Sequence, residues 1–127
     1  MQAFVKDSPV RELSPQDRRQ LEKEITVEEL GEAVSKLPTG KSPGPNGYPL
    51  EFFRTNWPRL GTHLLEVFRE ALAGVPLSSD LRTADIVVIP KPGLPTDSCS
   101  SYRPISLLNP EVKIWAKSLA DRLMGVI

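Results

Sequence analysis

The chain has 127 residues, and its sixteen Lys or Arg balance sixteen Asp or Glu. That length holds one domain at most with a modest core, and the even charge does not advertise a nucleic-acid partner, since only residues 81–127 carry a slight basic excess. Cys99, the single cysteine, excludes an internal disulfide and a cysteine-rich zinc module, and no apolar run approaches the ~20 residues of a membrane span.

The first thirteen residues read as a flexible N-terminus. They lack the apolar core of a secretory signal, so a soluble intracellular protein of the cytoplasm or nucleus, not secreted and without membrane contact, is expected. Ser14-Pro15-Gln16-Asp17 opens a first helix: serine caps, proline suits the first position, and an acid in the first turn meets the helix dipole. It is expected to end near Ile25. Thr26-Val27-Glu28-Glu29 has capping-box form, and Val27, Leu30, Val34 and Leu37 make one apolar stripe that Pro38 stops.

Thr39 to Pro49, with three glycines and three prolines, is a shaped loop. Leu50 to Trp57 reads as a short aromatic helix ended by Pro58. Leu60, Leu64, Leu65, Phe68 and Leu72 mark a longer second one, stopped by Gly74 and Pro76. Ile86 to Ile89 is a β-branched run closed by Pro90, and Tyr102 to Leu107 can pair with it across the intervening loop. Asn109 can cap a last helix with Pro110 at its first position and Val112, Trp115, Leu119, Ala120 and Leu123 on its buried face. The fold class is α+β, mostly helical with a small antiparallel β-ribbon. Such a ribbon is marginal unless other elements cover it.

Several words of this sequence occur in a recognisable order. The G-K-S-P-G-P-N-G loop at Gly40 to Gly47, the E-F-F-R-T-N-W helix at Glu51 to Trp57, the I-P-K-P-G strand end and the C-S-S-Y-R-P-I-S-L-L-N segment followed by K-I-W-A-K-S-L-A-D-R-L resemble the reverse transcriptase of non-long-terminal-repeat retrotransposons. The resemblance runs from about Ser14 to the C-terminus. It implies that residues 14–127 are the amino-terminal fingers part of a right-hand RNA-directed DNA polymerase, truncated before the catalytic palm, with the missing palm and thumb, an RNA template and a DNA primer as partners of the complete enzyme. Two departures stand out: Asn46 occupies the loop's usual Asp position, and Pro110-Glu111 follows Asn109 where a small apolar residue and Asp are usual. Asn keeps the turn preference of Asp and loses its charge.

The resemblance further implies that Lys91 and Arg103 touch the triphosphate of the incoming nucleotide in the complete enzyme. A lysine point charge and a planar arginine fork suit the equatorial oxygens of a transferring phosphoryl group, although the same two residues would also be unremarkable as surface charges at strand ends. The loop with Lys41, Gly44, Asn46 and Gly47 is implied to lie near the template strand, where Lys41 and backbone amides could meet phosphates. Its plain alternative is a stiff linker. Tyr102 could stack on a base but more commonly a strand tyrosine packs, and Trp57, Trp115, Phe52, Phe53 and Phe68 read as core. His63 sits in the long helix without a partner.

Nucleotidyl transfer by two divalent ions needs closely placed carboxylates. The family's F-x-x-x-D and Y-x-D-D motifs do not occur, and Asp7, Asp17, Asp80, Asp85, Asp97 and Asp121 are isolated from one another. No catalytic residue, metal ligand or cofactor is therefore assigned to this chain, Mg2+ being expected only for the complete polymerase. Two other readings stay open beside the polymerase fragment: a non-catalytic nucleic-acid or protein binding module repurposed from the fingers, and a decayed product without function.

Overall fold

A computed structural model of the chain describes residues 12–127. The flexible segment expected over 1–13 lies almost wholly outside them. Among the described residues four helices carry the fold: α1 (Pro15–Glu22), α2 (Val27–Lys36), α3 (Leu50–Leu72) and α4 (Pro110–Met124). Between α3 and α4 come a 3₁₀ turn at Asp80–Arg82 and two antiparallel strands, β1 (Ala84–Pro90) and β2 (Tyr102–Leu108). This is the expected α+β architecture with a two-stranded ribbon. Among the described residues no helix is long and apolar enough to cross a membrane.

The core is helical. Ile25, Leu30, Ala33, Val34, Phe53, Leu64, Leu65, Phe68 and Ile114 form one buried cluster drawn from α2, α3, α4 and the corner before α2. Phe68 on α3 stacks on Trp115 of α4 at 4.9 Å between ring centroids, a geometry that adds to simple area burial. Gly31 and Gly61 keep the α2–α3 crossing close, since a Cβ on Gly31 would stand 2.8 Å from the Trp57 ring and one on Gly61 3.1 Å from Val27.

Helix starts follow the sequence signals. Ser14 accepts from the Asp17 N–H at 3.1 Å while the Asp17 carboxylate reaches back to Ser14, a reciprocal capping box. Thr26 accepts from the Glu29 N–H at 3.2 Å. The Glu29 carboxylate expected to complete that box goes chiefly to Arg122 on α4, at 2.5 and 2.7 Å.

Five expectations are corrected. The first helix stops at Glu22, because the carbonyls of Leu21, Lys23 and Glu24 are taken by the Arg122 guanidinium instead of continuing a helical ladder. Pro58 does not end a helix: α3 runs through it for 23 residues. Phe53, Trp57, Gly61, Leu64, Leu65 and Phe68 form one continuous stripe across it, and the burial of that stripe outweighs the roughly 3 kcal/mol an internal proline costs.

Phe52 is exposed, lying over Tyr48 at 4.7 Å and edge-on to Phe53, because it sits about 100° round the helix from Phe53 and so off the stripe. The buried face of α4 is Pro110, Ile114 and Ser118, with Arg122 next in line, whereas Leu119, Ala120 and Leu123 face outward. Apolar periodicity misplaces this face because its last turn is polar and is held by charge pairing. Finally, His63 is not isolated: its Nδ1 lies 3.8 Å from Glu66, an exposed pair of small energetic weight.

Arg122 ties three elements together, with 13% of its side chain exposed. Arg54 does a similar job at the far end of α2, where it donates to the carbonyls of Val34, Ser35 and Leu37 at 3.0 Å each and so covers groups the helix leaves unpaired. Burial alone would raise the Glu29 pKa, but the hydrogen bonds and charge of Arg122 bring it below its ordinary 4.5. A carboxyl with a depressed folded-state pKa stabilises above the unfolded value and loses that contribution as pH falls through the folded one. Stability should therefore drop on acidification below pH 4.5, and Glu29→Gln should flatten that part of the acid limb in a pH series of urea unfolding curves. Arg122→Met should cost about 3 kcal/mol at neutral pH, the lower end of the loss when one partner of a buried pair is removed, read as a lower urea midpoint.

Candidate functional site

The ribbon is a long-looped hairpin. Ile89 pairs with Arg103 and Pro90 with Tyr102, and the ladder goes one step further where the Lys91 N–H donates to the Ser101 carbonyl at 2.7 Å. Side chains alternate along a strand, so Lys91 and Arg103 stand on the same face as diagonal neighbours, a separation typically about 7–8 Å. The sequence places them twelve positions apart; the register makes them adjacent.

The loop that joins the strands is built to hold its shape. The Leu94 N–H donates to the Lys91 carbonyl at 3.4 Å across Pro92-Gly93, with Gly93 at φ +77°, the pattern of a turn that needs proline then a left-handed residue. The Tyr102 hydroxyl donates to the Thr96 carbonyl at 3.0 Å. Tyr102 is thus half-buried and serves the loop. The Lys91 ammonium donates to the Ser100 carbonyl at 2.8 Å, which parks it beside the strand ends. Arg103 is exposed, and among the described residues its side chain makes no hydrogen bond or ion pair.

The glycine-proline loop is a second cluster, and it divides in two. Lys41 is exposed on the outer limb. Gly40 before it has φ +69° and donates its N–H to the Glu51 carboxylate at 2.6 Å. The inner limb turns toward the start of α4. Gly44 is buried so closely against β2's end that a Cβ would meet Asn109 N at 2.4 Å and Leu108 C at 2.5 Å.

The Asn46 N–H donates to Asn109 Oδ1 at 3.1 Å, and its side-chain amide donates to both Glu111 oxygens, at 2.9 and 3.1 Å. Asn46 Oδ1 accepts from Tyr48 N–H at 3.0 Å. Gly47, at φ +75°, closes the turn with a bond to the Gly44 carbonyl. Of the four loop residues singled out in the sequence, Lys41 is the one left facing solvent with a charge.

Asn109 departs from its expected role. It occupies the position before α4, but its side chain makes no capping bond; it accepts from Asn46 and donates to the Asp80 carbonyl at 2.9 Å. One fully buried amide therefore pins loop, 3₁₀ turn and helix together. Sequence reasoning treats Asn46 and Glu111 as two separate departures from a motif. Their occurrence together was the available signal that they touch.

The structure does not merge the two clusters. From Arg103 on β2 to Asn109 just past its end is six residues (109 minus 103), about 20 Å at the usual strand rise of roughly 3.4 Å per residue, so the basic pair and the latched loop sit at opposite ends of one strand.

No protein-family model matches the chain. Three curated proteins do. It is 36% identical over 115 residues to an uncharacterized 149 kDa protein of transposon TX1 from Xenopus laevis, covering 91% of this chain and 9% of that protein. It is 35% identical over 105 residues to a probable RNA-directed DNA polymerase from transposon BS of Drosophila melanogaster, covering 83% of this chain and 12% of that one. It is 31% identical over 100 residues to the RNA-directed DNA polymerase from mobile element jockey of Drosophila funebris, covering 79% and 11%. The chain spans roughly a tenth of the length of these relatives.

The latch makes a sharp expectation about residue 46. Asn46→Asp would keep the bond to Tyr48 N–H but set a carboxylate against Glu111, turning two donated bonds into like-charge repulsion. Both carboxyls would then have raised pKa values in the folded state, so the variant should melt below the wild type at pH 7 and recover as pH falls and they protonate. Adding Glu111→Gln should restore the neutral-pH melting temperature.

Proposed function

From the premise that the homologues of this chain, over most of its length, are non-LTR retrotransposon proteins, we propose that residues 14–127 are the amino-terminal fingers part of an RNA-directed DNA polymerase. In this reading the hairpin receives the incoming nucleotide's triphosphate, and the latched loop lies near the RNA template as it pairs with a DNA primer. The catalytic palm lies outside this part. The protein works inside the cell, where its nucleic acids are.

The observation that carries the reading is the register of the ribbon, which puts Lys91 and Arg103 on one face at the end of the strands that the loop joins. Lys91 can leave the Ser100 carbonyl for a stronger, charged acceptor. Arg103, exposed and opposite Ile89, can bind two phosphate oxygens with its planar fork. Together they neutralise charge on the triphosphate from two sides, and the loop bonds at Leu94 and Tyr102 hold the hairpin in shape while they do so.

Two-metal nucleotidyl transfer needs a cluster of carboxylates. Among the described residues no three His, Cys, Asp or Glu side chains come together in a way that could hold a metal ion, so the residues here do not fit that ion pair and no metal-dependent step is assigned to them. The chain's contribution is to hold phosphates and orient the nucleotide.

A deoxynucleoside triphosphate titrated into the chain and followed by backbone amide shifts should perturb Lys91 to Arg103 first. Lys91→Ala and Arg103→Ala should each weaken binding by about tenfold, in line with the loss of one charge-assisted hydrogen bond. Arg103→Lys should fail to restore it, since a point charge cannot replace the fork. Unchanged affinity in the double variant would sink the reading.

A further inference from the structure

A cavity of about 240 Å³ opens between the outer limb of the glycine-proline loop and the first turns of α4. Leu37, Pro38, Leu50 and Pro110 form its apolar walls, and Lys41, Ser42 and Lys113 complete its lining with a hydroxyl-bearing residue and two basic ones. We propose that this cavity is a binding subsite for a sugar-phosphate unit of single-stranded RNA, with Lys41 and Lys113 sharing one backbone phosphate and the apolar walls taking the sugar. The inference rests on the reading of the loop as template-facing and adds to it a residue from another element, Lys113, and a defined pocket.

Three observations support it. The first is rigidity. The bonds of Asn46 to Asn109 and Glu111 join the loop to the start of α4, and the Glu51 carboxylate fixes the Gly40 turn immediately before Lys41. Two lysines far apart in sequence thereby belong to one preorganised cradle, which lowers the ordering cost of binding.

The second is charge. Lys36 and Lys117 are already committed to carboxylates, whereas among the described residues neither Lys41 nor Lys113 makes an ion pair. The nearby carboxylates of Glu51 and Glu111 are occupied by Gly40 N–H and the Asn46 amide. The two ammonium groups are therefore free for an external anion.

The third is shape. At about 240 Å³ the cavity falls under the roughly 300–1,000 Å³ of sites that enclose a small molecule. It suits one unit of a chain that continues across the surface. A free inorganic anion would use the lysines and leave the apolar walls unoccupied.

The test is fluorescence anisotropy of a labelled single-stranded RNA 12-mer against the 127-residue chain from about 50 to 300 mM salt, where each phosphate contact on a single strand contributes a slope near −0.7. Lys41→Ala and Lys113→Ala should each reduce the slope by part of that amount, and the double variant, which loses the one shared phosphate, by about 0.7. Affinity at the lowest salt should drop at least tenfold in the double variant, with Lys113→Arg close to wild type. Lys23→Ala, which removes an exposed charge away from the cavity, should change nothing, and all variants should keep the wild-type melting temperature.

An equal slope change for Lys23→Ala, no change for the double variant, no RNA binding at the lowest salt, or displacement of RNA by polyglutamate as readily as by unlabelled RNA would each overturn the proposal. The triphosphate titration varies Lys91 and Arg103, whereas the anisotropy assay varies Lys41 and Lys113. The triphosphate titration and this assay can then fail independently, which separates the hairpin reading from the cavity.

Discussion

Arg122 holds the molecule together. Its guanidinium meets both Glu29 oxygens and the carbonyls of Leu21, Lys23 and Glu24. Those carbonyls lie where α1 has ended and α2 has not begun, a stretch that would otherwise have to find water or an unrelated partner. One side chain thus closes the α1–α2 corner, docks α4 on α2 and orients Ile25 into the core. A paired, hydrogen-bonded charge of low exposure is stabilising only when its geometry satisfies nearly all of its donors, and this one comes close to that limit.

The docking of α4 has consequences at its other end. With Ile114 buried and Trp115 against Phe68, the first residues of α4 have a fixed place, and Asn109 and Glu111 become anchors on which the glycine-proline loop can settle. Gly44 is required there because a Cβ would collide with backbone, which cannot move aside as a side-chain tip can. The ribbon leaves the same anchor in the opposite direction and contributes nothing to the buried cluster. Ile86 and Val88 are 70% and 62% exposed, so the strands owe their order to the ladder between them and to the elements at their base. Rigid helices thus support two polar surfaces that differ in character: a hairpin end that carries free charge, and a latched loop whose charges are internally matched except at its outer limb.

Local signals were legible and long-range ones were not. The Ser14 and Thr26 caps, the strand pair and the loop between Thr39 and Pro49 depend on neighbours within a few residues, and such patterns survive in one dimension. Pro58 misleads because its cost is local while the stripe that overrides it, from Phe53 to Phe68, belongs to a core built by other helices. Leu119 and Leu123 mislead for the opposite reason: they are apolar at helical spacing, but the face that docks is decided by Ile114, Ser118 and a paired Arg122. For the site, the sequence locates Lys91, Arg103 and Lys41, and only the register and the latch show which of them are neighbours. Lys113 carries no local mark at all. It acquires meaning from the cavity wall opposite it.

The Asn46–Glu111 contact shows how a pair can change the sense of its members. Taken alone, Asn in place of the resembled family's Asp is a lost carboxylate, and Glu in place of Asp is one extra methylene. Together they form a donor facing an acceptor: Asn46 keeps its turn-forming oxygen on Tyr48 N–H and turns the other side-chain atom into a donor for both Glu111 oxygens. Glu111 also stands in the first turn of α4, where negative charge is favoured by the helix dipole, so it is the partner that should keep its charge and residue 46 the one that should lose it. The two substitutions are therefore coupled in energy, and any role assigned to a carboxylate at position 46 would have to be reconsidered for this chain. What remains at that corner is a closed hydrogen-bond network in which the Glu111 carboxylate keeps its charge against a neutral amide donor.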